Sequence, residues 1–105
     1  MVGIDIVDIS RIADIVKKHG NRFLDKVFTE EELAYARQRK MADESLAGRF
    51  AAKEAFMKAL GRRLTWKDIN VLQRDGRPYI EFHGKRYDGI SISHERLYAV
   101  SVVVI

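Results

Sequence analysis

Residues 48–61 read GRFAAKEAFMKALG, and this stretch decides how the chain is expected to fold. Its alanine, aliphatic and aromatic residues favour a helix that is apolar over most of its surface, with Gly61 as a left-handed stop. The same stretch contains Glu54 and Lys58, one turn apart, on the side that we expect to be buried. A carboxylate and an ammonium on an apolar side of a helix call for an explanation.

The segments before this helix are predicted to form a strand and a first helix. Residues 2–7 are mostly β-branched and aliphatic, which is typical of a short buried strand, although Asp5 interrupts the run. A helix is expected next, capped by Asp8 or Ser10 and ended by Gly20. The strand and this helix therefore precede the long helix in the chain.

Capping residues indicate where two more helices begin. Thr29 followed by Glu32 forms a capping box, so a helix is predicted to begin there. Asp43 or Ser45 is expected to cap the long helix that contains residues 48–61.

The pattern changes to alternating residues from position 69 onward. Residues 69–82 form two alternating runs around an Asp-Gly pair at 75–76, which is typical of a β-hairpin. Pro78 favours an edge position just after that turn. Residues 89–94 and 98–105 form a second pair of strands. The predicted class is α+β, with an N-terminal strand and helices followed by antiparallel strands.

Length and composition limit the possible functions. A chain of 105 residues, of which 47% are hydrophobic and 32% charged, is predicted to form one globular domain over residues 1–105. With no cysteine, disulfides, thiolate nucleophiles and sulfur-ligated metals are excluded. The chain shows neither an export leader nor an apolar run long enough to cross a bilayer. We therefore expect a cytoplasmic protein without a membrane partner.

The net charge of +4 and the pI of about 9.5 favour an anionic partner. A small basic nucleic-acid-binding domain is one alternative, and it would need exposed aromatic residues between its basic ones. Here Phe50, Phe56, Trp66 and Phe82 fall at positions expected to lie in the core, which argues against nucleic acid. A slight excess of surface lysine and arginine explains the charge equally well.

Taken singly, the polar residues that could carry chemistry leave their roles open. Asp5 in an aliphatic strand could cap a helix, pair with a basic residue or bind a cation. Glu54 and Lys58 could form an ordinary helix ion pair. Alternatively, Asp5 and Glu54 together would suffice for magnesium, with Lys58 neutralising a phosphate beside it. His94 ends the run Ser-Ile-Ser-His and is not part of a recognisable catalytic triad.

Six segments taken together resemble one family, the holo-[acyl-carrier-protein] synthases, which are small bacterial phosphopantetheinyl transferases. The resemblance covers essentially the whole chain, and its most specific element is the stretch that ends at Gly61. The six segments, in chain order, are GIDIVDISR (3–11), FTEEELAYA (28–36), LAGRFAAKEAFMKALG (46–61), WKDI (66–69), GRPYI (76–80) and SISHE (91–95).

This resemblance implies a group-transfer enzyme that moves the phosphopantetheine arm of coenzyme A onto a serine of apo acyl carrier protein. It implies that Asp5 and Glu54 bind Mg²⁺, that Lys58 lies near the phosphates and that His94 contacts the coenzyme. The proton acceptor stays open among Glu54, a metal-bound water and His94, and we favour Glu54 or a water that it orients. A non-catalytic scaffold of the same fold is the second alternative, against which the retention of all four residues argues.

The resemblance also implies a homotrimer with active sites between subunits and a phosphopantetheinyl transferase fold. The acidic carrier protein is expected to dock on the first helix through Arg11, Lys18 and Arg22, with Arg11 at the position of a family arginine.

Four basic residues of the middle of the chain are candidates to bind the coenzyme's remaining phosphate. The alternative for each is a surface residue that only aids solubility, and for Arg39 and Lys40 this alternative fits equally well. Arg49 is the best anchored of these residues, and the others are Arg39, Lys40 and Arg62. One departure from the family concerns residues 61–64. Many relatives carry a glycine-rich loop after KALG that helps to cradle phosphates, whereas here Arg-Arg-Leu follows directly.

Overall fold

A computed structural model describes all 105 residues and confirms the α+β class. One strand and four helices precede five further strands, with a single 3₁₀ turn between the two parts. In chain order, the elements are β1 (Val2–Asp8), α1 (Ile9–His19), α2 (Asn21–Val27), α3 (Glu30–Arg37), α4 (Ala42–Leu60), the 3₁₀ turn (Trp66–Asp68), β2 (Ile69–Arg74), β3 (Arg77–Phe82), β4 (Lys85–Tyr87), β5 (Ile90–His94) and β6 (Tyr98–Val104).

The strands form two antiparallel sheets of three strands each, in the orders β1-β6-β5 and β2-β3-β4. We call them the first sheet and the second sheet. Both predicted hairpins are present, and β1 pairs with the last strand, so that Asp5 lies opposite Ser101. β3 is the central strand of the second sheet, but Pro78 lies beyond the end of β4. Its position is therefore a local edge, as the proline requires.

α4 is the central helix, and buried residues occur on every side of it. It packs against the first sheet on one side and against α1, α3 and β2 on the others. Its left-handed end at Gly61 is confirmed, with a φ of 77°. The predicted cap at Asp43 or Ser45 is wrong. The helix begins at Ala42 after Met41, which provides no side-chain cap, and both acids of the first turn lie beyond that point.

A glycine in β1 allows the first sheet to approach α4 closely. A Cβ atom at Gly3 would lie 1.8 Å from the carbonyl oxygen of Ala55 and 2.7 Å from the amide nitrogen of Ala59. Because no other residue fits in this space, β1 lies directly on the alanine face of the helix. This contact fixes where Asp5, two residues further along the strand, meets α4.

The opposite face of β1 is exposed, which corrects the prediction of a buried strand. Val2, Ile4 and Ile6 are each more than half exposed, and Val104 extends the same face on β6. The four aromatic residues expected in the core lie there or at its margin. Phe56 and Phe82 are buried, whereas Phe50 and Trp66 are partly buried and stack on each other with their ring centroids 5.0 Å apart.

Candidate active site

The close contact between β1 and α4 brings two acidic residues from distant parts of the sequence to one cavity. Asp5 from β1 and Glu54 from α4 both line a cavity of about 290 Å³ between β1, α1 and α4. Arg11 and Phe50 also line it. The structure thus places the two predicted metal ligands together, together with one of the three residues predicted to dock the carrier protein.

The carboxyl group of Asp5 is partly buried in this position. Burial raises the pKa of its carboxyl group above the usual value, and the nearby Glu54 charge acts in the same direction. A hydrogen bond from Lys58 Nζ, 3.2 Å from Asp5 Oδ1, partly offsets these effects. The same ammonium donates to the carbonyl oxygen of Ile4 at 2.9 Å. The site therefore concentrates negative charge and holds a cation against it.

The idea that Glu54 and Lys58 share a buried side of the helix is wrong. Lys58 has 55% of its side chain exposed, and Glu54 has 19%. The two residues do not form the helix ion pair either, because each bonds to a different partner. Lys58 reaches across to β1, and Glu54 bonds to Arg63, a residue that the sequence did not indicate.

The donor atoms fit a hard divalent cation that keeps some of its own water. Two carboxylates at one cavity are a common protein contribution to a magnesium site, whose other positions are filled by water and substrate phosphate. No group of three or more histidine, aspartate and glutamate residues that could hold a metal occurs in the structure. A metal bound between Asp5 and Glu54 would therefore need oxygen atoms from water or a ligand.

Two of the three residues predicted to contact the coenzyme line a second and larger cavity, whereas the third, Lys58, lines neither this cavity nor that of Asp5 and Glu54. Arg49 and His94 line a space of about 430 Å³, as do Arg39 and Lys40. This cavity shares no lining residue with the cavity of Asp5 and Glu54. Arg62 lines neither cavity. One chain thus has the predicted site residues in two separate places.

Arg49 is built into the wall of the second cavity. Only 5% of the residue is exposed, its guanidinium lies 4.1 Å from the centre of the Tyr35 ring, and Nη1 donates to Ser45 Oγ. Its Nε is buried without a hydrogen-bond partner. Burial lowers the pKa of Arg49, with the guanidinium remaining a cation. A buried guanidinium with a free donor is suited to binding an anion.

His94 ends β5 at the rim of the same cavity. Its Nδ1 lies 3.5 Å from Glu44 Oε1 on the first turn of α4, and about half of the histidine side chain is exposed. Ser91 and Ser93 lie on the exposed side of the strand. The histidine is therefore available to a ligand in the cavity.

The three residues predicted to dock a carrier protein are all exposed. Arg11 and Lys18 lie on α1, whereas Arg22 lies on the separate helix α2. Asp8 caps α1 by accepting a hydrogen bond from the amide of Ser10, and the hydrogen bond that it accepts from the Ser10 hydroxyl lowers the pKa of Asp8. Arg11 also lines the cavity of Asp5 and Glu54, which we call the acidic cavity. A partner bound to α1 would therefore lie next to these two acids.

The most deeply buried charged residues were missed by the sequence reasoning. Lys53 and Glu32 are fully buried, and Lys53 Nζ lies 2.7 Å from Glu32 Oε1. Lys53 also donates to the carbonyl oxygens of Val27 and Trp66, and burial lowers its pKa. The capping box predicted that Glu32 bonds to the start of its own helix. It could not indicate Lys53, which is 21 residues away in sequence.

Comparison with known proteins identifies the family of this chain. A profile of the 4′-phosphopantetheinyl transferase superfamily matches residues 1–103, and the chain belongs to that superfamily. Curated relatives named holo-[acyl-carrier-protein] synthase include those of Halothermothrix orenii and Thermodesulfovibrio yellowstonii. They are 45% and 47% identical to this chain, covering 98% and 99% of it and 94% and 96% of their own lengths. The resemblance found in the sequence is therefore confirmed.

Solved structures of similar proteins have the same fold. A Helicobacter pylori holo-[acyl-carrier-protein] synthase in complex with coenzyme A has a TM-score of 0.89 and 32% identity, covering 99% of this chain and 98% of its own. The Bacillus anthracis synthase, in complex with CoA (3′,5′-ADP), has a TM-score of 0.85 and 36% identity, covering 97% and 91%. The predicted transferase fold is confirmed.

No helix in the structure combines the length and the apolar character needed to cross a membrane.

Proposed function

We propose that this protein transfers the 4′-phosphopantetheine arm of coenzyme A to a serine hydroxyl of an apo acyl carrier protein. The products are holo acyl carrier protein, which serves fatty acid biosynthesis, and adenosine 3′,5′-bisphosphate. The observation that carries the proposal is the meeting of Asp5 and Glu54 at one cavity, beside Lys58. Membership of the superfamily supports the same reaction.

Asp5 and Glu54 are the residues that would hold Mg²⁺ in this site. The ion, when bound, would offset charge on the pyrophosphate of coenzyme A and so make the bisphosphate a better leaving group. The raised pKa of Asp5 fits this role, because a carboxylate destabilised by burial gains from a neighbouring cation. Both carboxylates lie at a cavity wall, where water and phosphate oxygens can reach them.

The transfer breaks one phosphorus–oxygen bond of the pyrophosphate and forms another to the serine. The serine oxygen attacks the phosphorus that bears the pantetheine arm, and the bisphosphate leaves with the bonding electron pair. Glu54, or a water that it orients, accepts the serine proton. Lys58 is half exposed next to Asp5, so its ammonium can turn to the transferring phosphoryl group and offset its charge.

We further propose that the complete site forms between neighbouring copies of a homotrimer. Arg49 and His94 bind the coenzyme, but they line a cavity separate from that of the two acids. In a closed ring, each copy contacts its two neighbours through two different surfaces. Such contacts can bring the cavity of Asp5 and Glu54 in one copy next to the cavity of Arg49 and His94 in the neighbouring copy. The exposed aliphatic face of β1 and β6 provides apolar surface for this assembly.

The acidic carrier protein is proposed to dock on α1 and α2. Arg11, Lys18 and Arg22 are exposed there, and Arg11 reaches the rim of the acidic cavity. Arg11→Glu should slow carrier-protein association by about tenfold at low salt, an effect that added salt should reduce. Binding of coenzyme A should change far less. An equal loss of affinity for both substrates would show that α1 is not the docking surface.

The reaction itself is tested by incubating the protein with coenzyme A, Mg²⁺ and an apo acyl carrier protein. Mass spectrometry should show that the carrier gains the mass of one phosphopantetheine arm. Glu54→Gln should fold normally and lose at least about a hundredfold of the transfer rate, since it removes a metal ligand and the favoured proton acceptor. Full activity in that variant would remove Glu54 from the site, and an unmodified carrier with the unaltered protein would refute the function.

A further inference from the structure

Arg63 forms an ion pair with Glu54, one of the two proposed metal ligands. Its Nη1 lies 3.2 Å from Glu54 Oε2 and 3.5 Å from Oε1, and its Nη2 lies 3.4 Å from Oε1. The guanidinium therefore meets both oxygens of the carboxylate in a forked arrangement. Its side chain is 67% exposed, so it is free to leave this position without unfolding anything.

The short segment after α4 explains why Arg63 reaches this place. Gly61 ends the helix in the left-handed conformation, and the chain then passes directly to the 3₁₀ turn that begins at Trp66. The guanidinium of Arg63 lies 5.5 Å from the centre of the Trp66 ring, which in turn stacks on Phe50 at the wall of the acidic cavity. The segment that replaces a glycine-rich loop thus positions a cation beside Glu54.

We propose that Arg63 is a further coenzyme-binding residue, which neutralises Glu54 in the free protein and contacts the pyrophosphate in the loaded one. This proposal rests on the proposed function, because it requires Asp5 and Glu54 to bind the metal. A divalent ion on Glu54 competes with the guanidinium for the same oxygens and repels it. The displaced guanidinium is then next to the phosphates that the metal binds, and bidentate contacts to phosphate suit it well.

This dual role predicts two effects of opposite sign for one substitution. Without Arg63, the metal alone meets no competitor at Glu54 and should bind more tightly. With the metal present, the coenzyme loses a cationic contact and should bind more weakly. A surface ion pair without a role in coenzyme binding would produce only the first change, and a purely structural role would weaken the binding of both ligands.

The experiment compares Arg63→Gln with Arg74→Gln, in which an exposed arginine of β2 without an ion pair is replaced. Metal binding is measured with Mn²⁺ alone by electron paramagnetic resonance, because the signal of the free ion disappears on binding. Coenzyme A binding is measured by calorimetry at saturating Mg²⁺, without carrier protein. Arg63→Lys keeps the charge and loses the forked geometry, and thermal unfolding followed by circular dichroism checks that every variant is folded.

Arg63→Gln should lower the dissociation constant for Mn²⁺ by about two- to fivefold. It should raise the dissociation constant for coenzyme A by about tenfold, the equivalent of one charge-assisted hydrogen bond. The two dissociation constants of Arg63→Lys should fall between those of Arg63→Gln and those of the unaltered protein. Arg74→Gln should match the unaltered protein in both measurements. Three outcomes overturn the assignment of Arg63: equal behaviour of Arg63→Gln and Arg74→Gln, tighter binding of Mn²⁺ with unchanged affinity for coenzyme A, and a loss of affinity for both ligands. Failure of the unaltered protein to transfer phosphopantetheine would instead refute the proposed function.

Discussion

Asp5 carries a charge where burial makes that charge unfavourable, and this has a consequence for stability. Its neighbours on the same face of β1 are Gly3 and Val7, which pack against the core. Its only cationic partner is Lys58, which is itself half exposed and so gives a weak pair. A residue that is unfavourable for folding is expected where a site needs its chemistry.

Asp5→Asn should therefore stabilise the metal-free protein at neutral pH. Because the pKa of Asp5 is raised in the folded state, its ionisation costs free energy of folding. Below the usual carboxyl pKa, Asp5 is protonated in both the folded and the unfolded protein, so the cost is absent. Above the raised pKa of the folded protein, Asp5 is ionised in both states, and the full cost is present. The difference in urea unfolding free energy between Asp5→Asn and the unaltered protein should thus favour the variant at pH 7 and shrink toward pH 4.

Measurements with a chelator present would isolate this effect from metal binding. Asp14→Asn, which removes an exposed carboxylate of α1, is the matched control and should show no such pH dependence. A loss of stability in Asp5→Asn at pH 7 would mean that its contact with Lys58 outweighs the effect of burial.

At the scale of elements, one buried ion pair connects α4 to four other segments. Lys53 donates to the end of α2 at Val27 and to the 3₁₀ turn at Trp66. Glu32 accepts hydrogen bonds from the amides of Thr29 at the start of α3 and of Val71 in β2. Every charged atom has partners, which is the condition under which a buried pair is tolerated. The pair therefore helps to set the positions of α3 and β2, both of which contribute to the wall of the cavity of Arg49 and His94.

Lys53→Met should reduce the free energy of unfolding by about 3–5 kcal/mol, because Glu32 is left charged and buried without its cation. The urea unfolding midpoint measures this loss. Lys58→Met is the matched control on the same helix and should cost less than about 1 kcal/mol, since the Lys58 ammonium is half exposed. Adding Glu32→Gln to Lys53→Met should recover only part of the loss, because the carbonyl oxygens of Val27 and Trp66 still lack a donor. Similar costs for Lys53→Met and Lys58→Met would contradict this account.

The contrast between these residues shows what could be predicted from the sequence. The capping box at Thr29 and Glu32, the stop at Gly61 and the turn at 75–76 follow from local chemistry, and each is present. The partners of Glu32 and Asp5 come from remote segments, so no local pattern identifies them. Asp5 and Glu54 could be assigned only through the family resemblance, and Arg63 lies where this chain departs from the family.

At the scale of the whole molecule, the arrangement of the two cavities argues for assembly. The acidic cavity lies between β1, α1 and α4. Arg49 and His94 line a cavity formed by α3 and the segment after it, α4, β5 and the second sheet. A single copy would place the proposed coenzyme contacts and the proposed metal ligands in separate spaces. The exposed aliphatic face, with Ile4 and Ile6 at its centre, is the surface through which copies can join.

Mixing two inactive variants tests whether the site is shared between copies. One variant is Glu54→Gln, and the other combines Arg49→Gln with His94→Gln. Each alone should be inactive, because every site lacks either the acid or both coenzyme contacts. After exchange of subunits in an equal mixture, about one quarter of the sites in a closed ring should combine intact residues from two neighbours. The transfer assay should then recover about that fraction of the activity of the unaltered protein.

Adding Ile4→Glu to both variants should abolish this recovery, because a charge on the aliphatic face opposes assembly. Sedimentation equilibrium should report a trimer for the unaltered protein and a monomer for Ile4→Glu. Leu72→Glu, on the outward face of β2 in the second sheet, is the matched control and should leave the trimer intact. If the mixture of inactive variants stays inactive while its subunits exchange, both sets of residues must act within one copy. The coenzyme would then have to span the two cavities of a single chain.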